Sequence, residues 1–314
     1  MKKRTKYGLL LAGTAVAAIY AYNKYISITA SKHNALQRQE GLVYPWRHGD
    51  VFYIKSGEGS PVLLIHDAHP SASRAEWTKM VAKLEKDHTV YVLDLIGCGC
   101  SDKPEIEYTN FFYTQMIRDF IKDVISEKTT VITSNLSSSF VIMANHMDKT
   151  LFEKIILINP CSLEQLKDIP DYWSKCKKAV IQLPFIGTFI YNLTTNTKKI
   201  DFDFKEKYYN KSNLVSKGLK DIYFESAHIN GSKGRFLYSS MVGKYINNSI
   251  IHALKKLDTP TLLIGSNNIK GTTHKLDDYH KYNSSLTIVR IKDCGLYPHM
   301  EIPEQTLTAI ENFL

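Results

Sequence analysis

Residues 131–140 have the arrangement most suggestive of chemistry in this chain. A β-rich run, residues 129–133, ends in small polar residues, and an apolar-periodic segment follows at residues 140–147. A strand, a sharp turn and a helix in this order predict a nucleophile elbow, in which the turn lifts one side chain above the end of a central strand. The residue at the apex is Asn135, where a hydrolytic enzyme would carry Ser, Asp or Cys.

Serines on both sides of Asn135 offer alternative nucleophiles. Moving the apex to Ser137 would put residues 133–135 in place of strand residues, which fits the pattern less well. Serines beside a tight turn usually cap a helix or pack as small residues. Ser134 and Ser137 are therefore weak candidate nucleophiles, and His299 is the weak candidate base that would have to serve them.

Continuous apolar runs separated by helical patterns predict the strands and helices around these residues. The runs cover residues 62–65, 90–93, 131–132, 155–158, 261–264 and 286–291. The helical patterns cover residues 76–86, 113–126, 138–147 and 303–314. Runs without alternation indicate parallel strands covered on both faces. We therefore predict an α/β fold, a doubly wound and mostly parallel sheet whose functional groups gather at the carboxyl ends of the strands.

Between Pro160 and Pro260 the strand signals stop, and the chain becomes helical and rich in aromatic residues. We predict that residues 161–257 form an inserted helical cap over a core made of residues 45–160 and 258–314. Aromatic residues in such a cap either pack among themselves or face the pocket, and the sequence leaves both open.

The N-terminus begins with a basic head, followed by an uncharged run from Tyr7 to Tyr22. These 16 residues would span about 24 Å as a helix. We predict a signal anchor or transmembrane helix within residues 1–26 and a linker at residues 27–44, with the N-terminus cytoplasmic and the main domain outside. The alternative is a cleaved signal, with small residues at 15–17 as the cleavage site and a secreted product.

Composition excludes several classes of function. The net charge of +9 comes from scattered lysines and the basic head, without a basic stripe interleaved with aromatics, so we expect no nucleic-acid partner. Five cysteines occur without a CxxC or a Cys/His ligand spacing, so we expect no metal site. No motif for another cofactor is present, and we expect none.

Three further segments complete a resemblance to the α/β-hydrolase superfamily. Residues 64–67 (LIHD), followed by Trp77, resemble the oxyanion-loop segment, which usually reads His-Gly. Residues 94–104 (DLIGCGCSDKP) are similar to the family's D-x-x-G-x-G-x-S loop, and residues 295–303 (GLYPHMEIP) to its G-H-x-P-H-x-E-x-P segment. The resemblance covers most of residues 45–160 and 258–314.

The resemblance implies where a catalytic triad would lie, and all three positions differ from the usual residues. The nucleophile position holds Asn135, the acid position Asn268 and the base position Leu296. An amide is a poor nucleophile, and leucine cannot carry a proton. His66, Asp67 and Leu136 occupy the implied oxyanion and pocket positions. Asn135 suits the strained backbone of an elbow, because Asn tolerates positive φ.

We interpret the three changes as one event, the loss of a triad within a retained scaffold. The predicted function is a membrane-anchored binding module of the α/β-hydrolase fold, with an apolar small molecule or another protein as partner. The alternative is an active hydrolase of esters, lipids or peptides that uses a non-standard site. A lyase-like reaction on the same fold is a third possibility without a specific signal.

Overall fold

The computed structural model of the protein describes residues 3–30, 32, 34, 36, 40–267 and 272–314. Eight strands form one sheet in the order β1-β2-β4-β3-β5-β6-β7-β8. The strands are β1 Leu42–Trp46, β2 Gly49–Ser56, β3 Ser60–Ile65, β4 His88–Leu93, β5 Thr129–Ser134, β6 Phe152–Ile158, β7 Thr261–Ser266 and β8 Thr287–Ile291. β1 and β2 pair antiparallel, β2 pairs antiparallel with β4, and every later pairing is parallel. The sheet is therefore mixed and mostly parallel, as predicted.

Helices alternate with the strands and then form a long insertion. They are α1 Lys3–Ala30, α2 Thr78–Leu84, α3 Asn110–Phe120, α4 Ser137–Met147, α5 Leu163–Lys167, α6 Tyr172–Gln182, α7 Ile186–Thr194, α8 Thr197–Asp203, α9 Lys217–His228, α10 Arg235–Val242, α11 Ile251–Lys255, α12 Thr272–Tyr282, α13 Pro298–Glu301 and α14 Pro303–Glu311. Short 3₁₀ turns occur at Arg74–Trp77, Lys149–Leu151 and Ser212–Leu214, and π-helical turns at Ile121–Ile125 and Phe204–Tyr208. Helices α5 to α11 all lie between β6 and β7, where the sequence predicts the helical insertion.

Two hydrophobic layers enclose the sheet. On one face, Leu63 and Val131 pack with residues of α3 and α4. On the other face, Leu64 and Ile132 pack with residues of α2 and α14. Because successive strand residues point to opposite faces, a sheet covered on both sides needs apolar residues at every position. This explains why the strand runs in the sequence are continuous.

The insertion has its own aromatic core. Phe204, Tyr208, Tyr223 and Phe224 are buried together, and the last turns of α1 complete this cluster through Ile26 and Ala30. Tyr297 and Met300, from the segment before α14, belong to the same cluster. The cap is therefore packed against both α1 and the loop that carries the implied base position.

The loop at residues 94–104 is built around one buried carboxylate. Asp94 accepts hydrogen bonds from Nη1 of Arg74 at 2.6 Å and from the backbone N–H of Cys100 at 2.8 Å. A Cβ at Gly99, which has a φ of +48°, would lie 2.2 Å from the Asp94 carboxyl carbon. Glycine is thus required here both for the backbone angle and for the close approach of Asp94.

The predicted transmembrane helix is not found: among the described residues, no helix is both long enough and apolar enough to cross a membrane. The uncharged run of α1 ends at Lys6 on one side and at Asn23 and Lys24 on the other, so extending it adds polar residues. α1 continues to Ala30 and β1 begins at Leu42, so both ends of the predicted 27–44 linker are in regular structure.

Candidate functional site

The elbow forms at the carboxyl end of β5. Asn135 has a φ of +43°, and its backbone N–H donates to the carbonyl of Ile158 on the neighbouring strand at 2.9 Å. Its own carbonyl accepts from the N–H of Ser138 at 3.2 Å, at the start of α4. The turn keeps a strained, left-handed backbone that asparagine adopts more readily than most residues.

The carboxylate of Asp67 fills the space beside the elbow. Asp67 follows β3, which pairs with β5 in parallel, so both strands end at the same edge. Its Oδ1 accepts from the backbone N–H of Leu136 at 3.1 Å, and its Oδ2 accepts from Nδ2 of Asn135 at 2.9 Å and from the hydroxyl of Tyr297 at 2.8 Å. Asp67 is almost completely buried. Three donors from two distant parts of the chain therefore converge on one carboxylate.

This contact changes the role of the Leu136 N–H. In the elbow arrangement, the N–H after the nucleophile is one of the two groups that bind the negative oxygen of a transition state. Here that N–H is bound by the oxygen of Asp67. A negatively charged intermediate would have to displace this carboxylate and would be repelled by its charge.

The environment of Asp67 changes its acidity. Burial raises the pKa of its carboxyl, and the nearby negative charge of Glu76 raises it further. The hydrogen bonds from Asn135, Tyr297 and Leu136 oppose this rise without cancelling it. Asp67 therefore holds a proton more readily than an exposed aspartate.

A second buried carboxylate lies behind the first. Glu76 accepts from Nε2 of His299 at 2.9 Å, from the hydroxyl of Ser134 and from the backbone N–H of Asp67 at 3.1 Å. Burial raises the pKa of Glu76, but the hydrogen bonds from His299 and Ser134 and the charge of His299 outweigh it, and the pKa is lowered overall. The ring of His299 stacks on Trp77 with 4.4 Å between centroids.

The two weak serine candidates are both buried and both have partners. The Ser134 hydroxyl donates to Glu76, and the Ser137 hydroxyl donates to the carbonyl of His66 at 2.7 Å. His299 and Ser134 contact the same oxygen of Glu76, so the carboxylate lies where a base would have to meet the serine. The geometry is not that of a serine activated by a histidine, in which the imidazole accepts the hydroxyl proton.

His66 is held in one tautomer by backbone groups. Its Nε2 accepts from the N–H of Leu95 at 3.0 Å, which leaves Nδ1 to donate to the carbonyl of Asp67 at 2.7 Å. Both ring nitrogens are therefore engaged in the loop. His66 therefore holds the loop that carries Asp67 in place.

Of the two other implied triad positions, the structure describes Leu296 but not Asn268. Leu296 lines the space above the elbow, and its carbonyl accepts from Nδ2 of Asn159 at 2.7 Å. Asn268 lies outside the described residues. Asn159, at the end of β6 with a φ of +44°, also accepts from the N–H of Ser266 at 2.9 Å and so joins two strand ends.

Sequence reasoning missed Glu76, Tyr297, Asn159 and the contact of Cys161 with the elbow. Cys161 donates from Sγ to Oδ1 of Asn135 at 3.1 Å, and burial raises the pKa of its thiol, so the neutral thiol is strongly favoured. The available signal for Tyr297 was its position directly after Leu296 in a family segment. For Glu76, the only signal was its position directly before Trp77 in the segment that resembles the oxyanion loop.

A cavity of about 570 Å³ opens above Asn135, between the elbow and the cap. Its lining comprises Asn135, Lys205, Glu206, Lys207, Tyr209, Asn210, Lys275, Cys294, Gly295 and Leu296. Lys205 pairs with Asp201 at 2.6 Å and Lys207 with Asp203 at 2.9 Å. Lys275 has no ion pair with any residue that the structure describes. The cavity combines polar and apolar walls, and its lining includes three lysines and one carboxylate, Glu206.

Metal chemistry has no candidate in this part of the molecule. Across the described ranges, no three His, Cys, Asp or Glu side chains are grouped so that they could hold a metal ion. What remains at the site is a carboxylate network beneath a lysine-bearing cavity.

Comparison with known proteins matches most of the chain to one family and shorter stretches to curated relatives. The family described as alpha/beta hydrolase fold matches residues 61–301. A 2-hydroxy-6-oxo-6-(2'-aminophenyl)hexa-2,4-dienoic acid hydrolase of Metapseudomonas resinovorans is 27% identical over 127 residues, which are 38% of this chain and 44% of the relative. A soluble epoxide hydrolase of a Corynebacterium species is 25% identical over 109 residues, or 35% of this chain and 37% of the relative. The matched regions thus span less than half the length of these two curated relatives.

Solved structures share the whole architecture. A serine hydrolase involved in carbazole degradation superimposes with a TM-score of 0.71 at 17% identity, covering 87% of this chain and 98% of that one. A membrane phospholipase A superimposes with a TM-score of 0.69 at 16% identity, covering 99% of this chain and 97% of that one. At these identities the likeness concerns the fold.

Proposed function

Because the chain belongs to the alpha/beta hydrolase fold family, we propose that it is a member in which ligand binding has replaced hydrolysis by a catalytic triad. One observation carries this proposal: the Asp67 carboxylate accepts the Leu136 N–H and the Asn135 amide, the two groups that would face a substrate carbonyl. Acyl transfer needs a free donor for the developing negative oxygen. Leu296, at the base position, has no group that accepts a proton.

The ligand we propose has an anionic group and an apolar part. Lys275 reaches the cavity without an acidic partner among the described residues, while Tyr209 and Leu296 supply apolar wall. A negative group beside Lys275 would gain a charge-assisted hydrogen bond. A protein partner that presents such a group to the cavity fits the same chemistry.

A fluorescent fatty-acid analogue, dansyl-undecanoic acid, tests the ligand class. We expect binding to the full chain that weakens when Lys275→Gln removes the charge, while Lys281→Gln, at an exposed position of the same helix, leaves it unchanged. Equal binding by both variants and the wild type would show that the cavity does not select an anion.

A second candidate is an active hydrolase of esters, lipids or peptides at a non-standard site. Two observations favour it: relatives named as hydrolases match the chain, and burial raises the pKa of the Asp67 carboxyl beside the cavity. A carboxyl with a raised pKa is suited to transfer protons near neutral pH. In this case Asp67 would act on water or on a leaving group, and Asn135 would orient it.

Short-chain p-nitrophenyl esters separate the two candidates. The binding proposal predicts no hydrolysis above the buffer rate and no labelling by a serine-directed fluorophosphonate. The second candidate predicts hydrolysis that Asp67→Asn abolishes and that Ser60→Ala, at an exposed serine far from the elbow, leaves intact. Hydrolysis that depends on Asp67 would overturn the binding proposal.

A further inference from the structure

Helix α6 of the cap carries an apolar stripe on its solvent face. Tyr172, Cys176, Val180 and Leu183 follow one another at intervals of four, four and three residues, so they share one side of the helix. Trp173 lies next to Tyr172, and their rings contact edge to face with 5.4 Å between centroids. Tyr172 is 73% exposed, Trp173 71% and Leu183 47%.

This stripe is not the face with which α6 folds. The buried residues of the helix are Ser174 and Ile181, seven residues apart and therefore on the same side. That side packs against α10 and α7. A helix normally turns its apolar residues toward the core and its polar residues outward. In α6 the large aromatic residues point to solvent instead.

The charged side chains of α6 are all lysines, and the aspartate that caps the helix, Asp171, pairs with Lys244 at 2.9 Å. Lys175 and Lys177 are exposed on the two sides of the stripe, while Lys178 pairs with Glu107 at 2.6 Å. Helices α1, α6 and α7 contain seven basic residues and no Asp or Glu. The basic residues are Lys3, Arg4, Lys6, Lys24, Lys175, Lys177 and Lys178. Of these residues, Lys24, Lys175 and Lys177 have exposed side chains, and they place positive charge on this surface.

Helix α1 continues this surface. The Nδ2 of Asn23 donates to the carbonyl of Phe185 at 3.4 Å, and Nδ2 of Asn192 donates to Oδ1 of Asn23 at 2.9 Å. Tyr22 packs on Phe189 with 5.5 Å between ring centroids. These contacts attach α1 beside the connection between α6 and α7. Ile186, the first residue of α7, is also exposed.

We propose that the α6 stripe, with Ile186 and the exposed side chains of α1, docks on the surface of an anionic phospholipid bilayer. Tyrosine and tryptophan favour the boundary between headgroups and acyl chains, and lysines beside an apolar stripe are attracted by anionic headgroups. With 11 residues, α6 is about 16 Å long and lies along the surface rather than across it. The exposed charges of Lys24, Lys175 and Lys177 favour an anionic lipid surface over an uncharged apolar partner.

Vesicle flotation of the full chain tests this surface. We expect binding to phosphatidylcholine vesicles that contain phosphatidylserine and weaker binding to phosphatidylcholine alone. The variant Trp173→Ser/Leu183→Ser should bind about tenfold more weakly, because it removes the apolar anchors. The variant Lys175→Gln/Lys177→Gln should lose the preference for the anionic lipid.

The matched control is Phe111→Ser/Met147→Ser, which removes two exposed apolar residues from core helices outside this surface. It should float like the wild type, and thermal unfolding should show that all variants fold. Wild-type binding by Trp173→Ser/Leu183→Ser would overturn the proposal, as would no wild-type binding to either vesicle. A lipid-free dimer that this variant dissociates would also overturn it, in favour of a second copy as the occupant.

Discussion

The carboxylate of Asp67 and the backbone N–H of Leu136, 69 residues apart in the chain, are joined by a hydrogen bond of 3.1 Å. The Asp67 carboxylate therefore lies at the position where this fold would bind the negative oxygen of a substrate in the transition state. Asn135 and Tyr297 hold the same carboxylate from two other directions. Three donors thus hold the Asp67 carboxylate in place, and the loss of these contacts has measurable consequences.

Replacing the elbow residue alone should not create a reactive serine. We expect Asn135→Ser to remain unlabelled by a fluorophosphonate, because Asp67 still holds the Leu136 N–H and Leu296 offers no base. The combination Asn135→Ser/Asp67→Gly/Leu296→His should gain labelling at position 135, detected by peptide mass spectrometry. Labelling of the single variant would show that Asp67 does not block the site.

Two substitutions at Asn135 separate the effect of its backbone conformation on stability from the effect of its side-chain contact. Both Asn135→Gly and Asn135→Ala lose the contact with Asp67, but only glycine suits a φ of +43° without steric cost. We expect Asn135→Ala to be less stable than Asn135→Gly by about 1 kcal/mol. Urea unfolding of the two variants measures the difference, and equal midpoints would mean that the elbow is not strained.

The buried pair of Arg74 and Asp94 should contribute strongly to the stability of the fold. Asp94→Asn leaves the Arg74 guanidinium buried without its counter-charge, and breaking such a pair costs about 3–5 kcal/mol. The exposed pair of Lys149 and Asp258 provides the control, because Asp258→Asn should change stability little. Chemical denaturation of both variants makes the comparison, and equal losses would contradict this account of the loop.

His228 should make the protein less stable in acid. Burial lowers the pKa of its imidazole from 6.5 to about 4. Between these values the unfolded chain binds the proton and the folded protein does not, so stability falls as the pH decreases through this window. The lowering corresponds to on the order of 3 kcal/mol.

Unfolding of the wild type and of His228→Gln at several pH values isolates this contribution. The free energy of unfolding of the variant should depend less on pH between 6.5 and 4. His280→Gln, at an exposed histidine, should follow the wild-type curve. Parallel curves for the wild type and His228→Gln would show that His228 is protonated in the folded state.

The architecture could be predicted from the amino-acid sequence, because the signals for it are local. Continuous apolar runs predict strands covered on both faces, and the strand, turn and helix around Asn135 predict the elbow. The long helical insertion between β6 and β7 could also be predicted, because strand signals are absent from that stretch of the sequence. The N-terminal helix shows the limit of local patterns: its uncharged run suggested a membrane span, whereas the folded chain packs Tyr22 and Ile26 on the cap.

The contacts of the elbow could not be predicted from the sequence, because they join residues that are far apart in the chain. Tyr297 meets Asp67 across 230 positions of sequence, and His299 meets Glu76 across 223. Such pairs arise because parallel strands bring their carboxyl ends to one edge of the sheet, and no local periodicity encodes which side chains then meet there. From the sequence alone, Asp67 was an unusual residue at a glycine position. In the folded protein its carboxylate occupies the oxyanion position.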